Sequence, residues 1–210
     1  LYGAGYLLQK LSWTHDSLTL NSDISTTASP QYSLRGHQLG YRTMANSYDA
    51  WTPEQYDTYI RELALFGVNA IENIPFQDTK HSPHMKISRS EMNLAISEIC
   101  ARYDMDYWLF IAADFDLTDT TLRAEHLRQH EQLYSECERI DALLVPGGDP
   151  GHNHPRDVMP YLEDLSKSLL KHHPNAGIWM SLQTYDKEKI DYFYQWIEEH
   201  KPAWFKGIVS

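Results

Sequence analysis

From Leu34 to Ser210 the chain repeats one unit, an apolar run of strand length followed by a longer amphipathic stretch. That alternation admits few folds. A strand that feeds a helix and then another strand returns to a parallel neighbour by a right-handed crossover, and the result is a parallel sheet covered by helices. Runs at 33–43, 68–76, 106–116, 141–149, 176–186 and 205–210 predict six strands, and the stretches at 52–67, 88–105, 118–140, 156–173 and 187–200 predict five helices. The first helix is well marked. Thr52 is its expected N-cap, Pro53 takes the first helical position, and Tyr56, Tyr59, Ile60, Leu63 and Phe66 recur at helical spacing before Gly67.

A closed eightfold barrel takes about 250 residues. Six strands therefore predict an α/β fold of the partial (β/α)8 TIM-barrel type over 34–210, cut short of closure. The alternative is an open doubly wound sheet, but the Gly-x-Gly-x-x-Gly turn that such sheets place after the first strand is missing. Residues 1–33 follow a different pattern. "LYGAGYLLQKLSW" reads as a helix and "THDSLTLNSDISTTASPQ" as a polar connector with strand character, together the expected tail of a preceding small α/β domain. Exposed strand edges on an incomplete barrel would favour self-association.

Charge and composition narrow the partners. Eighteen Lys and Arg against 29 Asp and Glu give a net charge of −11 without a basic run, which argues against nucleic acid and against an anionic membrane surface. No apolar run approaches the roughly 18 residues that span a bilayer. Cys100 and Cys137 have no closely spaced partner, so neither a disulfide framework nor a thiolate zinc site is expected. The chain opens at Leu1 rather than Met, which leads us to expect a removed leader and a periplasmic or secreted location rather than a cytoplasmic one.

In parallel βα folds, ligands bind at the C-terminal ends of the strands, where loops converge and helix N-termini point inward. Those ends supply Arg42, Asn46, Asp49 and Trp51, then Glu72 and Asn73, then Asp114 and Asp116. "LLVPGGDPGHNHP" follows with Asp149, His152 and His154, and the fifth strand adds Gln183, Tyr185 and Asp186. Carboxylates and amides can hold sugar hydroxyls, aromatic faces can stack on a pyranose, and paired carboxyls can perform acid and base steps at a glycosidic bond. Asp116, Asp119 and Asp186 also suit simple helix caps. His154, His172 and His173 read as solvated, and Trp179, Trp196 and Trp204 as packing residues.

The order "LYGAGYLLQKL", then "SLRGHQLGYR", then a fourth strand ending "VPGGD" resembles the barrel glycoside hydrolases that carry a small α/β domain before the barrel, the β-N-acetylhexosaminidases and the α-glucuronidases. The resemblance is specific at Tyr2 to Ala4, Arg35 to Gly36 and Gly147 to Asp149. It implies an exo-acting glycoside hydrolase with an oligosaccharide or glycoside substrate and no cofactor. Asp149 would be the general acid or the carboxylate that orients the substrate. Arg35 and Asn46 would hold sugar hydroxyls, Trp51 and Tyr185 would stack, and Glu72, Asp49, Asp114, His152 and Gln183 would add contacts. Pro150 stands where the hexosaminidases carry the acidic Glu, so the second catalytic carboxylate is expected beyond Ser210. Two alternatives share these residues: a metal-dependent barrel hydrolase or isomerase using Asp149, His152 and His154 with Glu72 or Asp114, and a carbohydrate-binding barrel without catalysis.

Overall fold

The computed structural model describes residues 2–20, 24–25, 27–39, 51–73, 86–149 and 152–209. Six parallel strands in sequential order curl into a half-barrel, the partial TIM-barrel architecture that the alternating pattern predicts. They are β3 (Gly36–Gln38), β4 (Ala70–Asn73), β5 (Asp106–Phe110), β6 (Ala142–Pro146), β7 (Gly177–Ser181) and β8 (Phe205–Val209). Five helices connect them: α2 (Pro53–Leu65), α3 (Arg89–Arg102), α4 (Thr120–Glu136), α5 (Pro155–His172) and α6 (Lys187–His200).

Helix starts follow their caps. The N–H of Thr52 donates to Gln55 at 2.9 Å, and Pro53 opens α2. At α3, Ser88 accepts from the Glu91 N–H at 3.1 Å while Glu91 accepts from the Ser88 N–H at 2.8 Å, a reciprocal capping box. Asp119 caps α4 and Asp186 caps α6, so both are local structural acids, and Asp116 likewise ties up the Thr118 N–H. Helix α4 ends earlier than its polar run predicts. Cys137 is its C-cap, and Cys137 and Cys100 are both buried free thiols.

The N-terminal stretch differs from expectation. Helix α1 covers only Tyr2–Leu8, and the chain then turns into β1 (Leu11–Trp13), which pairs antiparallel with β2 (Leu18–Leu20). The reason is periodicity: Leu11 and Trp13 alternate with Ser12, a strand pattern that the preceding helical run masks. Helix α1 packs on α2 through Gly5, where any Cβ would run into the Leu65 carbonyl.

The side-chain alternation of the strands separates two faces. Ile71, Tyr107, Leu109, Leu143, Val145, Ile178 and Met180 point to the helices and are fully or almost fully buried. The inner face of the half-barrel carries Glu72, Trp108, Phe110, Leu144, Trp179 and Ser181, placed in rows by the register Glu72–Trp108 and Phe110–Leu144–Trp179. Trp108 and Trp179 stack there with ring centroids 5.4 Å apart and pack with Ala70 and Ala142 in a second, smaller cluster.

Candidate functional site

The C-terminal ends of β4 to β8 form one rim, and the loops leaving it are braced against each other. Asn153, in the loop after β6, donates to the carbonyls of Ala113 and Phe115 at 3.0 and 2.9 Å and accepts from the Leu117 N–H at 3.1 Å. The loops after β5 and β6 are thereby tied to each other. Nothing in the sequence marks Asn153 for this, because its three partners lie about 40 residues away and are all backbone groups.

The glycine pair before Asp149 has a packing cause. A Cβ on Gly147 would lie 2.7 Å from the Ser181 carbonyl oxygen and 2.8 Å from the Tyr185 ring, and one on Gly148 would lie 2.9 Å from the Gln183 carbonyl oxygen. The two glycines let the loop after β6 press against the turn after β7, closed by a 2.7 Å bond from the Gly147 N–H to Ser181. Tyr185 thus presents its ring to the glycines rather than to an open cleft. It is 8% exposed, and its hydroxyl has no hydrogen-bond partner. Burial holds the phenol well above its ordinary pKa, so it stays a neutral donor. Ser181, Leu182 and Gln183 line a cleft of about 340 Å³ with Ile208 and Val209 beside this turn.

Among the described residues, two non-glycine residues on the rim loops, His152 and Thr184, adopt left-handed backbone with φ of 54° and 64°. The other two such residues, Asp104 and Lys201, stand where helices end, the ordinary place for this conformation. Strained backbone at loops facing a cleft marks functional sites more often than chance.

Among the described residues, three of the expected site carboxylates on the rim, Glu72, Asp114 and Asp149, cap no helix or turn. Asp114 and Asp149 are exposed, and no described residue forms an ion pair with either. Glu72 is half-buried on the inner face, accepts from the Gln38 amide at 3.0 Å, and has its pKa raised by burial, with the Gln38 bond opposing. Asn73, next along β4, turns to the helix side and donates to Asn93 and Tyr107 at 2.7 and 3.0 Å, so it is a buried structural amide.

The structure places the remaining expected site residues as follows. Gln183 is exposed at the cleft and His152 is exposed on its strained loop. Trp51 packs edge to face on Tyr56 and Tyr59, with centroids 5.4 and 5.2 Å away. Arg35 precedes β3 at the opposite end of the sheet, and its guanidinium donates to the carbonyls of Gly67, Tyr32 and Ser33 at 2.6 to 2.9 Å. Arg42, Asn46 and Asp49 lie outside the described residues. His154 is not solvated: it caps α5 by accepting from the Arg156 N–H at 3.0 Å, and its Nε2 lies 3.0 Å from Glu188. With both ring nitrogens engaged, it is committed to the helix start rather than to a metal. Among the described residues, no group of three or more His, Cys, Asp or Glu side chains converges to hold a metal ion.

No protein-family profile matches the chain, and no curated protein matches it in sequence. Solved structures do match in fold. CpGH84B superposes with a TM-score of 0.64 at 14% identity over 98% of this chain and 38% of its own. An O-GlcNAc hydrolase from Thermobaculum terrenum gives 0.57 at 11% identity, over 84% of this chain and 40% of its own. The GH20 β-N-acetylhexosaminidase of Streptomyces coelicolor A3(2) gives 0.56 at 10% identity, over 86% of this chain and 48% of its own. The chain spans less than half the length of each and shares with them the fold of part of a (β/α) barrel.

Proposed function

We propose that this chain forms one wall of an exo-acting glycoside hydrolase site, with Asp149 as the carboxyl group that protonates the glycosidic oxygen or orients the substrate for that step. The observation that carries the reading is the trio of carboxylates on the rim, Glu72, Asp114 and Asp149, none of them ion-paired to a described residue, on a fold shared with glycoside hydrolases. Carboxylates left without cations keep their acceptor oxygens open and suit a ligand that donates hydroxyls. Asp149 stands at the outer end of a loop whose glycines press it against the Tyr185 turn, so its backbone has a fixed platform while its carboxylate stays open.

Chemically, an acid at Asp149 would pass its proton to the leaving oxygen as the bond to the anomeric carbon breaks, and a second carboxylate would stabilise that carbon or activate water. The test is hydrolysis of a panel of aryl glycosides, N-acetylhexosaminides and glucuronides included, by the protein and its Asp149→Asn variant. The expected outcome is turnover on one sugar that falls by about a hundredfold or more in the variant. Equal rates in both proteins would remove Asp149 from the chemistry, and turnover of no glycoside would remove the hydrolase reading.

A further inference from the structure

Glu72 occupies a position unlike that of any other described carboxylate. It lies on the inner face of the half-barrel, one residue from the end of β4, in register with Trp108 on the next strand. Gln38, opposite it on β3, donates its amide to Oε1 at 3.0 Å, and Oε2 accepts from no described residue. The amide clamps one oxygen and leaves the second as an acceptor beside the floor made by the Trp108–Trp179 stack. Among the described residues, no Lys or Arg forms an ion pair with Glu72. An acceptor-only group with Asp114 and Asp149 on the same rim favours donors and repels anions.

We propose that the Gln38–Glu72 pair is a specificity-determining element that selects a neutral or cationic sugar over a uronic acid. The inference rests on the glycoside site proposed above and adds its substrate class. A pyranose set against the tryptophan floor places a hydroxyl toward Oε2, and a hydroxymethyl group can donate to that oxygen whereas a carboxylate cannot. Gln38 is the positioning residue, and Glu72 makes the contact.

Methyl glucoside and methyl glucuronide differ only at that carbon, so they are the probe pair, each used as both anomers at one ionic strength. Binding is read by tryptophan fluorescence, because Trp108 and Trp179 adjoin the pair, and by calorimetry. The glucoside should bind at least about tenfold more tightly than the glucuronide. The isosteric Glu72→Gln variant should shrink that gap to about twofold, chiefly by admitting the glucuronide, and Gln38→Leu should weaken the glucoside without inverting the order. Thermal melting of both variants controls for folding. Equal binding of the two probes by the parent protein, or a gap unchanged in Glu72→Gln, overturns the assignment while leaving the Asp149 reading intact. Binding of neither probe also overturns the assignment, and the aryl glycoside panel then decides the Asp149 reading by itself.

Discussion

The two ends of the parallel sheet treat charge in opposite ways. At the N-terminal end, Arg139 donates to Asp141, Asp106 and Asp104 at 2.7, 2.9 and 3.0 Å, and Asp141 also accepts from the Tyr107 N–H at 2.8 Å. Arg35 spends its guanidinium on carbonyls at the same end. At the C-terminal end, among the described residues, Glu72 has only an amide, Asp114 and Asp149 have no cation, and the Tyr185 hydroxyl has no partner. Among the described residues, the acids named at one end are paired with an arginine, and those named at the other are left without a cation. A fold selected for stability alone would not keep that difference, because pairing or removing the rim acids is easily reached by mutation.

The sharpest way to test this division is to remove the cation at the satisfied end. Arg139→Met keeps the aliphatic stem and strips the guanidinium, and its side chain is only 25% exposed. Asp106, already raised in pKa by burial and by Asp141, would face Asp141 and Asp104 uncompensated. The expected loss is about 3 kcal/mol in denaturant unfolding at pH 7. A loss below about 1 kcal/mol would mean that this end is no better satisfied than the rim.

A second test concerns the layer beneath the rim. On α4, His126 lies against His130 with tilted rings and centroids 4.5 Å apart, contacts Phe115 at 4.9 Å, and shares a hydrogen bond with Tyr161. Burial lowers the His126 pKa from 6.5 to about 4, with Asp114 opposing, and burial together with His126 holds the His130 pKa well below its ordinary value. Both imidazoles fold as neutral groups. Between pH 6.5 and 4 the unfolded chain therefore binds protons that the folded chain refuses, so stability is full above the unfolded pKa and drains as pH falls through that window. The His126 share is on the order of 2 kcal/mol at pH 4.5. Melting curves across this range should fall more shallowly in His126→Gln than in the parent, and parallel curves would place the proton uptake elsewhere.

Much of this was legible in the chain, and the exceptions have physical causes. Period-3.6 runs with caps at Thr52 and Asp119, alternating with apolar strands, fix the order and direction of the elements, so the rim and its acids follow from topology. What periodicity does not carry is the direction in which a loop side chain turns. Tyr185 and Trp51 read as stacking faces, yet the glycine pair draws the first ring inward and Tyr56 and Tyr59 hold the second. His154 became a cap because Pro155 starts a helix directly behind it, a signal that was present in the dipeptide. Arg35 falls at the other end because β3 begins after it, and a boundary shift of a few residues moves a side chain from one end of a short strand to the other.

The smallest expected effect is also the one that bears most directly on the comparison of ends. If the rim acids serve a ligand and not the fold, neutralising one of them singly should leave stability unchanged or slightly raised. Asp114 and Asp149 are exposed and unpaired to any described cation, and the chain as a whole carries a net charge of −11, so losing one negative charge relieves repulsion and removes no contact. Asp114→Asn and Asp149→Asn should each lie within about 0.5 kcal/mol of the parent, on the stabilising side at low salt, and converge on it as salt screens the repulsion. A loss beyond about 1 kcal/mol in either variant would show that the carboxylate holds a loop in place, and the rim would then be a second structural end rather than a site. Unchanged stability together with lost turnover in Asp149→Asn would separate the two roles within a single side chain.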